Sequence, residues 1–369
     1  MKVLMTGGGT GGHVNPAIAI AETIKRHDNT AEIEFVSSNL KNDKAVDLVG
    51  RAGYKLHRLD ICGSHKIYDP RNLKTLYCMV KSNKQAKKLI ESFKPDIIIG
   101  TGGFACYPVL NAGAKMGIPT IVHESNTIPG KAVKRLACRV DSVLINFEST
   151  RERLGGANNI VLVGNPTIFD PRAVKTADTA TAAGEGKRIV LIVGGSRGST
   201  SMNNGIVKAL PYLSEKFPMV EFHHVSGKDD YERMCSEYEK NGLSKKENIK
   251  IIPYAYDMNE RMTACELLVS RAGAMSVSEA ALLGKAVVFI PSPHVIYNHQ
   301  YENAKAIYDK GACELCEESE FDSGKLEATV EALLLNKERR AILGEKIKDF
   351  ATPDANERIY KEIERLTKK

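Results

Sequence analysis

The chain has 369 residues, 43% of them hydrophobic and 26% charged, a length that holds two globular domains and a composition that excludes disorder and collagen-like repeats. No stretch approaches the roughly 18 uninterrupted apolar residues of a membrane span, and the short apolar run Val3 to Met5 meets glycines at once, so neither a secretion signal nor a membrane anchor is expected. The net charge of +7 is one-sided: residues 1–165 hold 23 Lys+Arg against 14 Asp+Glu, or +9, while residues 166–369 hold 29 against 31, or −2.

In chain order, aliphatic runs that end in a glycine or polar turn and lead into a helical pattern recur throughout. They are Lys2–Met5, Glu32–Ser37, Asp96–Ile99, Thr120–Val122, Ser142–Ile145 and Ile160–Val163, then Arg188–Val193, Val220–Val225, Ile249–Ile252, Leu267–Val269 and Ala286–Ile290. Short continuous apolar strands alternating with helices predict parallel sheets covered on both faces. Residues 166–187, rich in Thr and Ala and poor in large apolar side chains, read as a linker. On either side stand similar openings, KVLMTGGGTGG from Lys2 and RIVLIVGGSRG from Arg188, each a strand running into glycines and a helix. The α/β chain therefore divides into a Rossmann-like domain over 1–165, the linker, a second Rossmann-like domain over 188–352, and a charged helix over 353–369 that packs back on the first domain, with a cleft between the two sheets. Eight cysteines include one close pair, Cys313 and Cys316, with no second pair or nearby histidines to complete a zinc site, so reduced thiols are expected.

Gly7-x-Gly9-x-x-Gly12 satisfies a dinucleotide fingerprint in form, but the second strand ends Ser37-Ser38-Asn39 without the carboxylate that a nicotinamide ribose needs, and no Gly-Lys-Ser/Thr follows for a Walker A loop. Six strand ends rich in polar or glycine residues, Gly7–His13, Gly100–Phe104, His123–Asn126, Gly164–Pro166, Gly194–Gly198 and Ser270–Glu279, are candidates for one shared ligand cleft, because open parallel sheets bind ligands beyond the carboxyl ends of their strands. The segment from Ser270 to Pro291 is the most specific. Ala274, Met275, Ser276, Val277, Ser278 and Glu279 open a helix whose free N–H groups suit a phosphate, with hydroxyl donors at Ser276 and Ser278 and an acceptor for a ribose diol at Glu279.

Taken together, TGGGTGGHVNPA, PDIIIGTGGF, GIPTIVHESNTIPG, LVGNP, VGGSRG, SRAGAMSVSE and NHQYENA, running from Thr6 to Ala304, closely resemble the MurG family. The resemblance implies a GT-B fold, with the second domain holding UDP-GlcNAc and the first facing membrane and acceptor. It implies transfer of GlcNAc to undecaprenyl-pyrophosphoryl-MurNAc-pentapeptide (lipid I), forming lipid II in peptidoglycan synthesis at the cytoplasmic face of the bacterial plasma membrane. By motif position Thr10, Gly11 and Gly12 are implied donor contacts. Asn126 and Ser196 fall on sugar and pyrophosphate contacts, Ala255 lies by the uracil, and Gln300 reads the sugar hydroxyls. Cell-wall synthesis proteins are the implied protein partners, and no nucleic acid is among the ligands. Three positions depart from the family pattern: Ile168 where an arginine is usual, a contact that Arg172 or Arg197 could replace, Phe104 for tyrosine, and HESN for HEQN. An epimerase-like enzyme that also binds UDP-GlcNAc, and a catalytically weakened lipid-binding homologue, are the competing readings.

The implied transfer inverts the anomeric carbon and needs a general base within about 3 Å of the acceptor hydroxyl. His13, at the start of the first helix, is the leading candidate, with loop orientation or lipid pyrophosphate binding as its other roles; Glu124 is the second candidate. Helix N-terminal N–H groups and Ser196 can stabilise departing UDP, and with no DxD pair in a plausible loop, transfer without a metal or other cofactor is expected. For the membrane, residues 55–95 carry 10 basic against 3 acidic side chains. Between Ser64 and Phe93, Lys66, Arg71, Lys74, Lys81, Lys84, Lys87 and Lys88 surround Leu73, Leu76, Tyr77, Met79 and Val80. Either this is an amphipathic patch meeting anionic head groups, or it is a solvated helix whose apolar side is core; the charge of this half favours the patch.

Overall fold

The computed structural model describes residues 1–41, 43–61, 72–157, 159–169, 188–195 and 198–368, and of residues 72–76 the backbone alone. It divides into two compact units, Met1–Ile168 with Thr352–Lys369, and Phe169–Ala351.

Unit 1 runs β1 (Lys2–Thr6), α1 (Gly11–His27), β2 (Glu32–Ser38), α2 (Ala45–Arg51), β3 (Lys55–Leu59), α3 (Asn72–Phe93), β4 (Ile97–Gly100), α4 (Cys106–Lys115), β5 (Thr120–Glu124), α5 (Lys131–Leu136), β6 (Ser142–Ile145) and β7 (Ile160–Leu162). The strands form one parallel sheet in the order β3-β2-β1-β4-β5-β6-β7. Its two faces explain the continuous apolar runs. Val3 and Met5 meet Val14, Ala17, Ile20 and Ile24 of α1 on one side, while Leu4 and Ile98 meet Ala86, Ile90, Val109 and Leu110 of α3 and α4 on the other. The edge strand β3, KLHRL, has no apolar run and escapes a reading of the sequence, since an edge pairs on one side only and its residues are mostly half-exposed.

Unit 2 runs β8 (Arg188–Val193), α6 (Thr200–Lys216), β9 (Val220–Val225), α7 (Tyr231–Lys240), β10 (Ile249–Ile252), α8 (Met258–Ala264), β11 (Leu267–Ser270), α9 (Ala274–Leu283), β12 (Val287–Phe289), α10 (His299–Tyr308), β13 (Glu314–Leu315), α11 (Lys325–Leu335) and α12 (Lys337–Ile347). The sheet is parallel in the order β10-β9-β8-β11-β12-β13. In both sheets the chain reverses its direction of travel next to the first strand, between β1 and β4 in unit 1 and between β8 and β11 in unit 2. These are the switch points at which doubly wound sheets open a crevice.

The last helix, α13 (Ala355–Thr367), belongs to unit 1. Ile359, Ile363 and Leu366 enter the core that α1 lines, His27 stacks on Tyr360 at 3.9 Å between ring centroids, and His27 Nε2 meets Glu357 at 3.0 Å. Most of the segment read as a linker, residues 170–187, lies outside the described residues. Six cysteines, Cys106, Cys138, Cys235, Cys265, Cys313 and Cys316, are free, whereas Cys78 is disulfide-bonded, a correction to the expectation of reduced thiols throughout.

Ile363→Ala should destabilise unit 1 by about 2–5 kcal/mol, the cost of a large-to-small change in a closed core. Urea denaturation checks it, and a loss below about 1 kcal/mol would show that α13 is not part of that core.

Candidate functional site

At the unit 1 switch point, the loops after β1 and β4 touch through glycines. Gly103 has φ +88 and lies so close to Gly8 that a Cβ would stand 2.4 Å from the Gly8 carbonyl oxygen; Gly102, at φ +103, faces the His13 ring, whose Cδ2 a Cβ would meet at 2.8 Å. Only glycine fits both places. Thr101 Oγ1 donates to the His13 carbonyl at 2.7 Å and so ties the start of α1 to β4. Asp43 holds the other side: its carboxylate accepts from the Gly9 N–H at 2.8 Å, the Ser37 hydroxyl at 2.6 Å, the Ser38 N–H at 3.1 Å, the Ser38 hydroxyl and the Ala45 N–H. Burial alone would raise the Asp43 pKa, but these donors outweigh it and hold the carboxyl below its ordinary value.

His13 is half-buried, with Nδ1 3.1 Å from the Gly8 carbonyl oxygen and 3.5 Å from Thr10 Oγ1. Since a carbonyl only accepts, Nδ1 carries the proton and Nε2 is left with its lone pair. Burial pushes the imidazole pKa below 6.5, against a smaller opposing effect of the Gly8 bond and the Asp43 charge, so the ring is neutral at pH 7. Thr10 is the exposed N-cap of α1 and makes no side-chain cap, and Gly11 and Gly12 follow it as the first residues of the helix.

At the end of β5, Glu124 is buried, and both carboxylate oxygens are engaged: Oε1 by the Asn126 N–H at 3.0 Å and Nδ2 at 3.1 Å, Oε2 by the Gly130 N–H at 2.8 Å. Glu124 thus shapes its own loop, and Asn126 is partly turned inward. Buried His123 bonds the Gly164 carbonyl at 2.9 Å and is pushed down to about 4 by burial. Ile168 is 74% exposed, and Phe104 is also exposed.

In unit 2, Ser196 and Arg197 lie outside the described residues, as does Arg172 in the linker. The helix α9 starts after Gly273, which has no side chain to cap it. The N–H groups of Met275 and Ser276 therefore have no side-chain cap from the N-cap position. The Val277 side chain is 1% exposed in the core and its N–H bonds the Gly273 carbonyl at 3.0 Å. Ser278 is buried beside it. Glu279 is half-buried and, among the described residues, has no hydrogen-bond or ion-pair partner; burial pushes its pKa up to about 7. Ala255 is buried between Tyr254 and exposed Tyr256, and neither its N–H nor its carbonyl makes a backbone bond among the described residues. Gln300, in the first turn of α10, accepts the Ser292 N–H on Oε1 at 2.9 Å and keeps its amide N–H groups as donors. Tyr297 and Asn298, just before it, both have positive φ, an unusual conformation for consecutive non-glycine residues.

Asp43 and Glu318 were missed in the sequence, and Thr101 and Arg271, inside two of the candidate loops, were not singled out. Arg271 is 6% exposed, sits directly after β11, and pairs with Glu318. A carboxylate 47 positions away leaves no local signal; a cation inside an apolar strand end was the only available clue.

On α3, Tyr77 is 66% and Val80 52% exposed, with Met79 exposed beside them, while Cys78, Ser82, Ala86 and Ile90 form the inward side. The core thus takes a different stripe of the helix. Lys81 pairs with Asp60 at 2.7 Å, whereas Lys84 and Lys88 are exposed and make no ion pair among the described residues. Lys66 and Arg71 lie outside the described residues, as do the side chains of Leu73, Lys74 and Leu76. No described helix is long and apolar enough to cross a membrane.

Two doubly wound parallel sheets, each with glycine loops and open helix starts at its switch point, define a GT-B glycosyltransferase fold. Residues 3–145 match the glycosyltransferase family 28 N-terminal domain, and residues 189–359 match the family 28 C-terminal domain. The chain is 35% identical over 371 residues to the UDP-N-acetylglucosamine--N-acetylmuramyl-(pentapeptide) pyrophosphoryl-undecaprenol N-acetylglucosamine transferase of Bacillus subtilis strain 168. It is 34% identical over 369 residues to the enzyme of that name from Caldanaerobacter subterraneus subsp. tengcongensis, and both matches cover 100% of each chain. The crystal structure of Acinetobacter baumannii MurG superposes with a TM-score of 0.76 at 24% identity over 99% of each chain. A UDP-GlcNAc 2-epimerase from Neisseria meningitidis, bound to UDP-GlcNAc, shares the fold at a TM-score of 0.70 and 16% identity, over 99% of this chain and 100% of that one. The chain belongs to the MurG family of family 28 glycosyltransferases.

Glu279→Gln should stabilise the unliganded protein at pH 8. The folded pKa of about 7 stands above the ordinary 4.5, so the folded state holds its proton longer than the unfolded state, and stability falls as pH rises from about 4.5 through 7. Glutamine removes that loss, worth on the order of 2 kcal/mol above pH 7 and nothing below pH 4.5. Denaturation at pH 4.5 and pH 8 checks it; an equal effect at both would show that Glu279 is not raised.

Proposed function

We propose that this chain moves GlcNAc from UDP-GlcNAc to lipid I, with inversion at the anomeric carbon, forming lipid II. The observation that carries the substrates is the match along the whole length of both chains to transferases with that donor and acceptor in their names. The epimerase likeness is one of fold alone.

The residues divide the chemistry between the units. In unit 2, the first turn of α9, with Ser276, receives the diphosphate, where helix dipoles and fixed N–H groups offset the charge that grows on departing UDP. Glu279, without a hydrogen-bond or ion-pair partner among the described residues, accepts the ribose hydroxyls. The unengaged backbone of Ala255 lies against the uracil, and the Gln300 amide donates to the sugar. In unit 1, His13 Nε2 takes the acceptor proton: its lone pair is fixed by the Nδ1 bond to Gly8, and its lowered pKa keeps it ready near neutrality. Glu124, with both oxygens occupied, holds the loop that presents Asn126. Thr10, Gly11 and Gly12 line the same edge.

The acceptor lipid stays in its bilayer, so the enzyme comes to the surface. The exposed apolar side chains of α3, flanked by Lys84 and Lys88, suit reversible attachment to an anionic inner leaflet.

UDP release from UDP-GlcNAc should require lipid I; consumption of the donor without any lipid would favour an epimerase. His13→Ala should lower kcat by about 10²–10⁴-fold with donor affinity kept, and the acid limb of the wild-type rate profile should lie below pH 6.5, where His13 gains its proton. Lost lipid binding at an unchanged single-turnover rate would make His13 an acceptor contact instead. Charge reversal at Lys84 and Lys88, removing about 1 kcal/mol or more at each, should cut co-sedimentation with anionic vesicles roughly thirtyfold at low salt. Equal sedimentation would overturn the membrane reading.

A further inference from the structure

The His13 ring and the Asp43 carboxylate engage one and the same peptide group, the bond between Gly8 and Gly9. Its carbonyl oxygen, on Gly8, accepts from His13 Nδ1 at 3.1 Å, and its N–H, on Gly9, donates to Asp43 Oδ1 at 2.8 Å. The peptide is trans, so these two groups point in opposite directions. Carboxylate, peptide and imidazole therefore form a chain.

The surroundings keep that chain in register. A Cβ on Gly8 would stand 1.8 Å from Ser37 Oγ and 3.0 Å from Asp43 Oδ2, so only glycine lets the peptide sit between the two side chains. Asp43 is buried, and its remaining acceptor positions are taken: Oδ1 also accepts the Ala45 N–H at 3.0 Å, while Oδ2 accepts the Ser37 hydroxyl at 2.6 Å and the Ser38 N–H at 3.1 Å. These donors hold the carboxyl below its ordinary pKa, and it is ionised at neutral pH. Among the described residues Asp43 is the charged side chain whose field acts on the His13 ring, and it favours the protonated form. A peptide group is a resonance dipole, so negative charge beside its N–H makes its carbonyl oxygen a stronger acceptor.

We infer that Asp43 is a positioning residue for His13, acting through the Gly8–Gly9 peptide: it fixes the carbonyl that sets the ring's tautomer and steadies the cation that the ring becomes. As the acceptor oxygen bonds the anomeric carbon and the bond to UDP breaks with its electron pair, the hydroxyl proton passes to His13 Nε2. The positive ring then donates more strongly from Nδ1 to Gly8, and the carboxylate one peptide away offsets its charge. No proton reaches Asp43. The inference rests on the reading of His13 as the base.

The test is a double-mutant cycle on kcat with Asp43→Asn and His13→Ala, with thermal melts alongside. Asparagine keeps the shape and an acceptor for Gly9 but removes the charge. Asp43→Asn should lower kcat about threefold to tenfold with KM for the donor unchanged, and the acid limb of the rate profile should lie about 0.5–1 lower in pH, because a weaker base titrates lower and transfers less well. In the His13→Ala background the same change should cost less than about twofold, since the group that Asp43 serves is gone. Should Asp43→Asn not fold, Asp43→Ser, uncharged and smaller, carries the same expectation. Imidazole 15N spectra of the wild type should show the neutral ring protonated at Nδ1. An equal loss in both backgrounds, or an acid limb that does not move, overturns the inference alone. A neutral ring protonated at Nε2, or undiminished kcat in His13→Ala, overturns the base reading and the inference with it.

Discussion

A helix that follows a parallel strand delivers first-turn N–H groups without intrahelical partners to one edge of the sheet, and this constraint organises both halves of the chain. Each sheet reverses direction next to its first strand, so two helix starts meet at each switch point. In unit 1 the loops approach so closely that Gly102 and Gly103 admit no side chain. In unit 2 neither N-cap residue, Ser199 of α6 nor Gly273 of α9, makes a side-chain cap. An edge built in this way suits a ligand with concentrated negative charge.

Open loops need support from below, and buried polar groups supply it. Asp43 gathers the β1 loop and the end of β2 through five donors, Thr101 ties α1 to β4, and Arg271 with Glu318 joins the ends of β11 and β12 to the start of α6. These groups are satisfied within the protein, so their burial is offset by their bonds. Glu279 differs. It is half-buried without a partner among the described residues, at a cost in stability above pH 7, and a site that waits for hydroxyl donors is a reason to bear that cost. His13 shows the same economy on the other unit: one ring nitrogen is committed to Gly8 and the other is left available.

Much of the architecture was legible because parallel strands buried on both faces leave continuous apolar runs, as in Lys2–Met5 and Arg188–Val193. The edge strand β3 was not, for it stands at the end of the sheet among the described residues and most of its side chains are only half-buried or exposed. The glycine loops marked the site, since Gly7–Gly12, Gly100–Gly103 and Ser270–Glu279 are punctuation that a strand-to-helix turn requires. The groups that hold them were hidden. Asp43 stands in a loop after β2, where the motif search asked for a carboxylate at the strand end itself, and Glu318 reaches Arg271 only through the fold. Val277 of the same motif is turned into the core by helical periodicity. On α3 the periodicity held two apolar stripes, and only the packing of Cys78, Ala86 and Ile90 shows which of them is inward.

Amide hydrogen exchange of unit 2 with and without UDP tests the central claim most directly, because a diphosphate bound at the first turn of α9 must cover the amides there. Slowed exchange at Met275 and Ser276, greater than at the first turns of α7 and α11, is the expected result. An exchange rate in that turn that stays unchanged while UDP is bound would contradict it.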